Sequence, residues 1–143
     1  MPEATPARKP LPVVSFLKIP EQGEPYLEAQ RCQSCGALFL GVRAVCSKCG
    51  ARDRFEPKRL SNRGSLHVYS IVHRSFPGIE TPYVSAVVDL EGGGTLKGNL
   101  IHVDPTPEKV KMGMPVEVIY RVAPNKDKEG NEYLAYYFQP RTR

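Results

Sequence analysis

Four cysteines are the residues of this chain with the most definite chemistry. Cys32, Cys35, Cys46 and Cys49 are its whole complement. They form two Cys-x-x-Cys pairs, and each pair is followed by glycine: Cys32-Gln33-Ser34-Cys35-Gly36 and Cys46-Ser47-Lys48-Cys49-Gly50. Four thiolates at this spacing can enclose one tetrahedral ion, with metal–sulfur bonds of about 2.3 Å for zinc. The glycines permit the positive φ that turns each knuckle back, so that its amides face the sulfurs. Two disulfides would be the alternative in a secreted chain. Met1-Pro2-Glu3-Ala4-Thr5-Pro6 carries no apolar signal core, so the expectation is a cytoplasmic chain that binds metal. Zinc is favoured over iron, because a rubredoxin-type iron site wants a longer gap between the pairs and more apolar cover. Four cysteine ligands leave no open position, which predicts a structural site rather than a catalytic one.

The other reactive side chains assemble into less. A thiolase-like reaction needs a nucleophilic cysteine and a histidine that polarises the thioester, and here every cysteine is assigned to metal. His67, His73 and His102 are the histidines. His67 and His73 would share one face of a strand, about 20 Å apart, too far for one site. No Ser/His/Asp order has a supporting context, so no catalytic residue is assigned and autonomous catalysis is not expected.

Charge is uneven along the chain. Residues 1–71 hold eleven Lys/Arg against six Asp/Glu, whereas 72–143 hold nine of each. Within 43–63 stand Arg43, Lys48, Arg52, Arg54, Lys58, Arg59 and Arg63 against Asp53 and Glu56. A local basic patch suits a phosphorylated cofactor, a nucleic acid or an acidic protein face. A solvated surface carries the same pattern with equal weight.

The elements that must position these groups are short. The chain has 14 prolines, 12 glycines and no tryptophan, a composition for strands and turns. No apolar run approaches the ~20 residues of a membrane helix. Residues 1–12 read as a disordered tail. Val13–Ile19 reads as a strand or a docking segment, ended by Pro20. Residues 26–56 read as a zinc ribbon, grouped with the docking segment into a unit over 13–57. From Lys58 to the end at 143 the pattern is all-β. Ser65–His73, Tyr83–Leu90, Thr95–Val103, Val116–Val122 and Tyr133–Phe138 are the expected strands, with Val84, Ala86, Val88 and Leu90 on one face and Val116, Val118, Tyr120 and Val122 inward. Glu91-Gly92-Gly93-Gly94 reads as a turn, Gly98 as a bulge, 104–112 as a place for a helical turn, and 125–131 as a hairpin loop. Five strands in this order predict a mainly β chain: a rubredoxin-like zinc ribbon, then a five-stranded OB-fold barrel.

At this point the chain resembles a known family, the small zinc-ribbon-plus-OB-fold proteins that accompany thiolase-fold enzymes acting on acyl-CoA. The resemblance runs over about 13–140. It rests on the two knuckles, Gly64-Ser65-Leu66-His67-Val68-Tyr69-Ser70, Pro82-Tyr83-Val84-Ser85-Ala86-Val87-Val88-Asp89-Leu90, Lys111-Met112-Gly113-Met114-Pro115-Val116-Glu117-Val118 and Tyr137-Phe138-Gln139-Pro140. Val13–Pro20 and Ser75-Phe76-Pro77-Gly78 resemble the branch that serves thiolases of anaerobic toluene breakdown. The resemblance implies a non-catalytic subunit that pairs with a thiolase-fold partner, two copies of each, and helps form or gate the acyl-CoA site of a C-acyltransferase. It departs from the family in two places. Pro20, Gly23 and Pro25 leave little room for an N-terminal helical hairpin, and Leu40-Gly41-Val42-Arg43 stands where prolines are common. In that setting Arg52, Arg54 and Arg59 are the candidates for the phosphates of coenzyme A. The rival expectation is single-stranded nucleic-acid binding, which both folds support. Tyr83, Lys97 and His102 are all that the second and third barrel strands offer such a ligand.

Overall fold

The computed structural model describes residues 9–142. Among them are ten strands and no helix. Most of the tail expected over 1–12 lies outside the described residues, but its last part is ordered. Leu11–Pro12 form β1, which lies parallel to the end of the chain with Leu11 opposite Tyr133 and Pro12 opposite Leu134. Part of the expected docking segment packs within the chain. Leu17–Lys18 form β2, paired with Leu27 and Tyr26, and Leu17 is 1% exposed. Val14, Phe16 and Ile19 pack against the same core.

The ribbon is a small sheet around one central strand, β3 (Tyr26–Cys32). On one side β3 pairs with β2 and with β4 (Leu38–Leu40); on the other it pairs with β5 (Phe55–Arg59). The ribbon therefore runs on through Lys58 and Arg59, which lie opposite Ala29 and Glu28. Three residues later the barrel begins.

The barrel consists of β6 (Arg63–Val72), β7 (Tyr83–Leu90), β8 (Thr95–Leu100), β9 (Pro115–Val122) and β10 (Tyr133–Pro140). Antiparallel pairs join β6 to β7, β7 to β8, β9 to β10 and β6 to β9. A parallel contact between Phe138 and Leu100 closes the ring. This is the five-stranded Greek-key barrel that the strand order implied. Alternation fills it: Val84, Ala86, Val88 and Leu90 of β7 are all buried, as are Val116 and Val118 of β9. The β9 pattern fails at its end, where Val122 is 45% exposed because the strand runs out past the core. Residues 104–112 hold a single turn, closed by the amides of Lys109 and Val110 on the Thr106 carbonyl.

Two details differ from expectation. The bulge is at His67, not Gly98: Leu66 faces Val88 and Val68 faces Val87, so His67 is the extra residue. It reverses the inward parity of β6, and the strand ends at Val72, so His67 and His73 do not share a strand face. Gly98 instead keeps register opposite Ala86. A Cβ there would lie 2.9 Å from both Phe138 Cε2 and Tyr136 Cε2. The glycine makes room for two rings that plug the gap between β8 and β10, and the Tyr136 hydroxyl donates to the Lys97 carbonyl. Gly98→Val will therefore cost about 1–3 kcal/mol by overpacking, read as a drop in the denaturant midpoint at unchanged slope.

One core serves both units. Leu17, Leu27 and Ala29 of the ribbon sheet join Leu60 and the barrel interior in a single buried cluster. The β7–β8 turn seals the joint. Gly93 and Gly94 have φ of 118° and 99°, and Leu38 and Leu60 lie where their Cβ atoms would be. Lys58 Nζ donates to the Gly92 carbonyl across the same joint at 3.1 Å.

Candidate metal centre

The two knuckles have the same backbone. In the first, the Cys32 amide donates to Ala37 O and the Gly36 amide to Cys32 O. In the second, Cys46 donates to Ala51 O and Gly50 to Cys46 O. Gly36 and Gly50 have φ of 80° and 79°, a region costly to residues with a Cβ. This repeated turn points the four sulfurs at one another. Sγ of Cys32 and Cys49 are 3.6 Å apart, as are Sγ of Cys35 and Cys46. All four lie within 4.8 Å of one another. Sulfurs placed 2.3 Å from one ion would lie about 3.8 Å apart, whereas a disulfide bond is about 2.0 Å. The cluster has the dimensions of a tetrahedral site for zinc.

The knuckle amides also prepare the thiolates. The Cys49 amide, then the Lys48 amide, lower the Cys46 thiol to about 6 against the opposing effect of burial. The Cys35 and Ser34 amides act on Cys32 in the same direction. Cys49 is pushed up to about 11: the Ala51 amide draws it down, but burial and the three other thiols raise it further. That last push comes from hydrogen bonds with the Cys32, Cys35 and Cys46 thiols, which favour the protonated form of Cys49; a divalent ion would favour the thiolate instead. Cys32 and Cys46 are buried, Cys35 is half-buried and Cys49 is exposed. The ion would thus be held at the ribbon tip by four thiolates, filling the role of a core.

The structure separates the three arginines singled out for phosphate. Arg52 and Arg54 are exposed at the second knuckle, where Arg52 bridges to Val45 and the Arg54 carbonyl accepts from the Gln33 amide. Arg59 stands at the other end of β5, about 16 Å of extended chain away. Its guanidinium lies 4.5 Å from the centre of the Tyr26 ring.

The histidines are dispersed. His67 Nδ1 lies 3.0 Å from Asp89 Oδ2. His102 has φ of 61° and Nδ1 2.8 Å from Gln139 Oε1. It stands on the wall of a groove of about 520 Å³ at the barrel end remote from the ribbon, between Gly78–Pro82 and Pro124–Asn125. Among the described residues Glu80 is the one carboxylate that lines this groove, and Arg121 NH1 reaches the His102 ring at 3.4 Å.

Arg43 is the residue whose setting the sequence concealed. Its guanidinium lies 4.0 Å from the centre of the Phe39 ring, and a basic run gives no sign of which cation finds an aromatic face.

Comparison with known proteins agrees with this architecture. Residues 23–56 match the family described as ChsH2, rubredoxin-like zinc ribbon domain, and residues 58–121 match the ChsH2 C-terminal OB-fold domain. A DUF35 domain-containing scaffold protein of Methanocaldococcus jannaschii is 36% identical over 77% of this chain and 78% of its own length. The benzoylsuccinyl-CoA thiolase subunit BbsA of Thauera aromatica is 35% identical over 63% of this chain and 67% of its own. Among solved structures, the Ltp2-ChsH2(DUF35) aldolase superposes with a TM-score of 0.64 at 30% identity, over 80% of this chain and 84% of that one. With both units matched in order and the four cysteines gathered as a zinc ribbon requires, the chain belongs to the ChsH2 (DUF35) family of zinc-ribbon and OB-fold proteins.

Proposed function

We propose that this protein is a zinc-binding, non-catalytic accessory subunit of a thiolase-type acyl-CoA enzyme, of the kind found in benzoylsuccinyl-CoA thiolase and toluene degradation. The observation that carries the reading is the match of ribbon and barrel together to a family with named thiolase subunits and an aldolase complex among its relatives. The chemistry is consistent with it. The metal ligand set has no open position, and the described histidines are scattered over the barrel. The partner supplies the nucleophile; this subunit helps shape or gate the acyl-CoA site. Because thiolases are two-fold dimers, the complex contains two copies of each chain.

Arg52 and Arg54, which flank Asp53 on the knuckle and have no ion-pair partner among the described residues, contact the phosphates of the shared coenzyme A thioester. Arg59 is a separate contact. The test is co-expression with a thiolase-fold subunit, followed by light scattering on the eluted species. A two-plus-two mass is expected, and elution as separate species overturns the reading. In that complex Arg52→Glu with Arg54→Glu will raise the KM for acyl-CoA by about fivefold or more. A substrate without the 3′-phosphate will show a smaller change. Unchanged kinetics would make these arginines a solvated surface. Sub-micromolar, salt-sensitive binding of single-stranded oligonucleotides by the chain alone would replace the reading altogether.

A further inference from the structure

A second cavity lies where the two units meet. It has a volume of about 420 Å³ and sits between β4 of the ribbon and the start of β8 in the barrel. Leu38, Phe39 and Leu40 give its wall an apolar part on the ribbon side, Arg43 and Thr95 give it a polar part, and Gly94 closes it on the barrel side. Joints between units are where ligand sites are commonly built, as mainly apolar clefts with a few placed polar groups.

The placed group here is Arg43. Its guanidinium lies against the Phe39 ring, and NH1 reaches Ser47 Oγ at 3.4 Å. These two contacts hold the cation at the cleft, and among the described residues no carboxylate neutralises it. The acidic group joined to the wall is Asp89, and both its oxygens are occupied. Oδ1 accepts from the Thr95 hydroxyl at 2.9 Å, and Oδ2 lies 3.0 Å from His67 Nδ1. An apolar cleft beside one unpaired guanidinium is complementary to one chemical class. The ligand has an apolar body that displaces water from Leu38, Phe39 and Leu40, and a carboxylate that takes the free edge of the arginine. A phosphate alone would leave the apolar wall wet, and a neutral hydrocarbon would leave the charge unmet.

We propose that this cleft binds an apolar carboxylate, an aryl or short alkyl acid, with Arg43 as the anion contact and Leu38, Phe39 and Leu40 as the seat of the body. The site is complete within one chain and does not depend on the accessory-subunit reading. It is also distinct from the phosphate contacts assigned to Arg52 and Arg54.

The test uses the full, zinc-loaded chain and two probes of one shape, 4-phenylbutyrate and its neutral amide, followed by chemical-shift titration. The acid is expected to bind with a dissociation constant on the order of 1 mM, shifting resonances of Phe39, Leu40 and Thr95. The amide is expected to bind about tenfold more weakly. In Arg43→Gln, which keeps a polar side chain of similar reach, the acid will fall to the level of the amide while the spectrum elsewhere is unchanged. Lys109→Gln, at an exposed cation in the turn over 104–112, will leave both affinities as they were. Four results would overturn the proposal: no saturable binding by the chain alone, equal binding of acid and amide, binding that survives Arg43→Gln, or displacement of the acid by inorganic phosphate at equal concentration. A thiolase-fold subunit that fails to co-elute would count against the proposed function and leave this site standing. A cleft that fails to bind the acid would do the reverse.

Discussion

Removing the metal will open the ribbon and leave the barrel folded. The purified chain is expected to carry one zinc ion by elemental analysis, and a strong chelator at neutral pH will extract it. Residues 33–54 will then be cut by protease within a time that leaves 63–140 intact, and the β-type circular dichroism of the barrel will persist. The size of the effect follows from what holds the segment. Between Cys32 and Phe55 there is one short strand, Leu38–Leu40, with the Val45–Arg52 bridge, and no fully buried apolar residue apart from Cys46. Structural zinc in small fingers contributes about 10–16 kcal/mol in apparent terms at pH 7, far above what so small an apolar inventory supplies. Cys46→Ser, which removes a buried ligand, will reproduce the chelated state. Protons compete for the same sulfurs, so acidification releases the ion and readjustment to neutral pH with added zinc restores protection. Intact disulfides in fresh protein, or a ribbon equally protected without metal, would contradict the assignment.

Leu17→Ala will destabilise the isolated chain by about 2–5 kcal/mol. Leu17 is 1% exposed, lies opposite Leu27 and belongs to the cluster shared by ribbon and barrel. The measurement is the denaturant midpoint of the chain without any partner. The sequence had offered Val13–Ile19 as a docking segment, and that role would give a different result: full stability alone, with weakening seen only in a complex. A midpoint unchanged by the substitution would return the segment to that role. Deleting 13–19 will have a larger effect than Leu17→Ala, because it also removes the Val13 amide bond to Leu134 O and the Phe16 carbonyl that accepts from Glu28.

What was legible in the sequence was legible because it is local. A knuckle is set by two cysteines and a glycine within five residues, and Tyr83–Leu90 declares its buried face by simple alternation. What was hidden depends on chain segments far apart. β1 is two residues long and exists because the β10 backbone beside it offers partners. Lys58 and Arg59 read as the start of the barrel until β3 is known to lie alongside. The bulge at His67 is a matter of register with β7, and no residue type at 67 announces it. Gly98 is explained by two rings that arrive forty residues later in the chain. The cation at the cleft was visible as one charge among seven, but its stacking on Phe39 was not. Charge counts likewise grouped Arg52, Arg54 and Arg59, which a strand then holds apart.

The shared core has a consequence for recognition. Arg59 ends a ribbon strand, Arg63 begins a barrel strand, and Leu60 between them is 5% exposed. There is no linker at which the ribbon can swing. A partner that meets metal tip and barrel at once would therefore find them already at fixed distance and angle, and association would not have to freeze a hinge. The same rigidity makes selection strict: a partner whose two footholds are misplaced by a few ångströms cannot be accommodated by bending. In this chain the ribbon works as a ruler fastened to the barrel, and the length and angle of that ruler are properties that a ribbon grafted from a relative would have to match before it could serve the same complex.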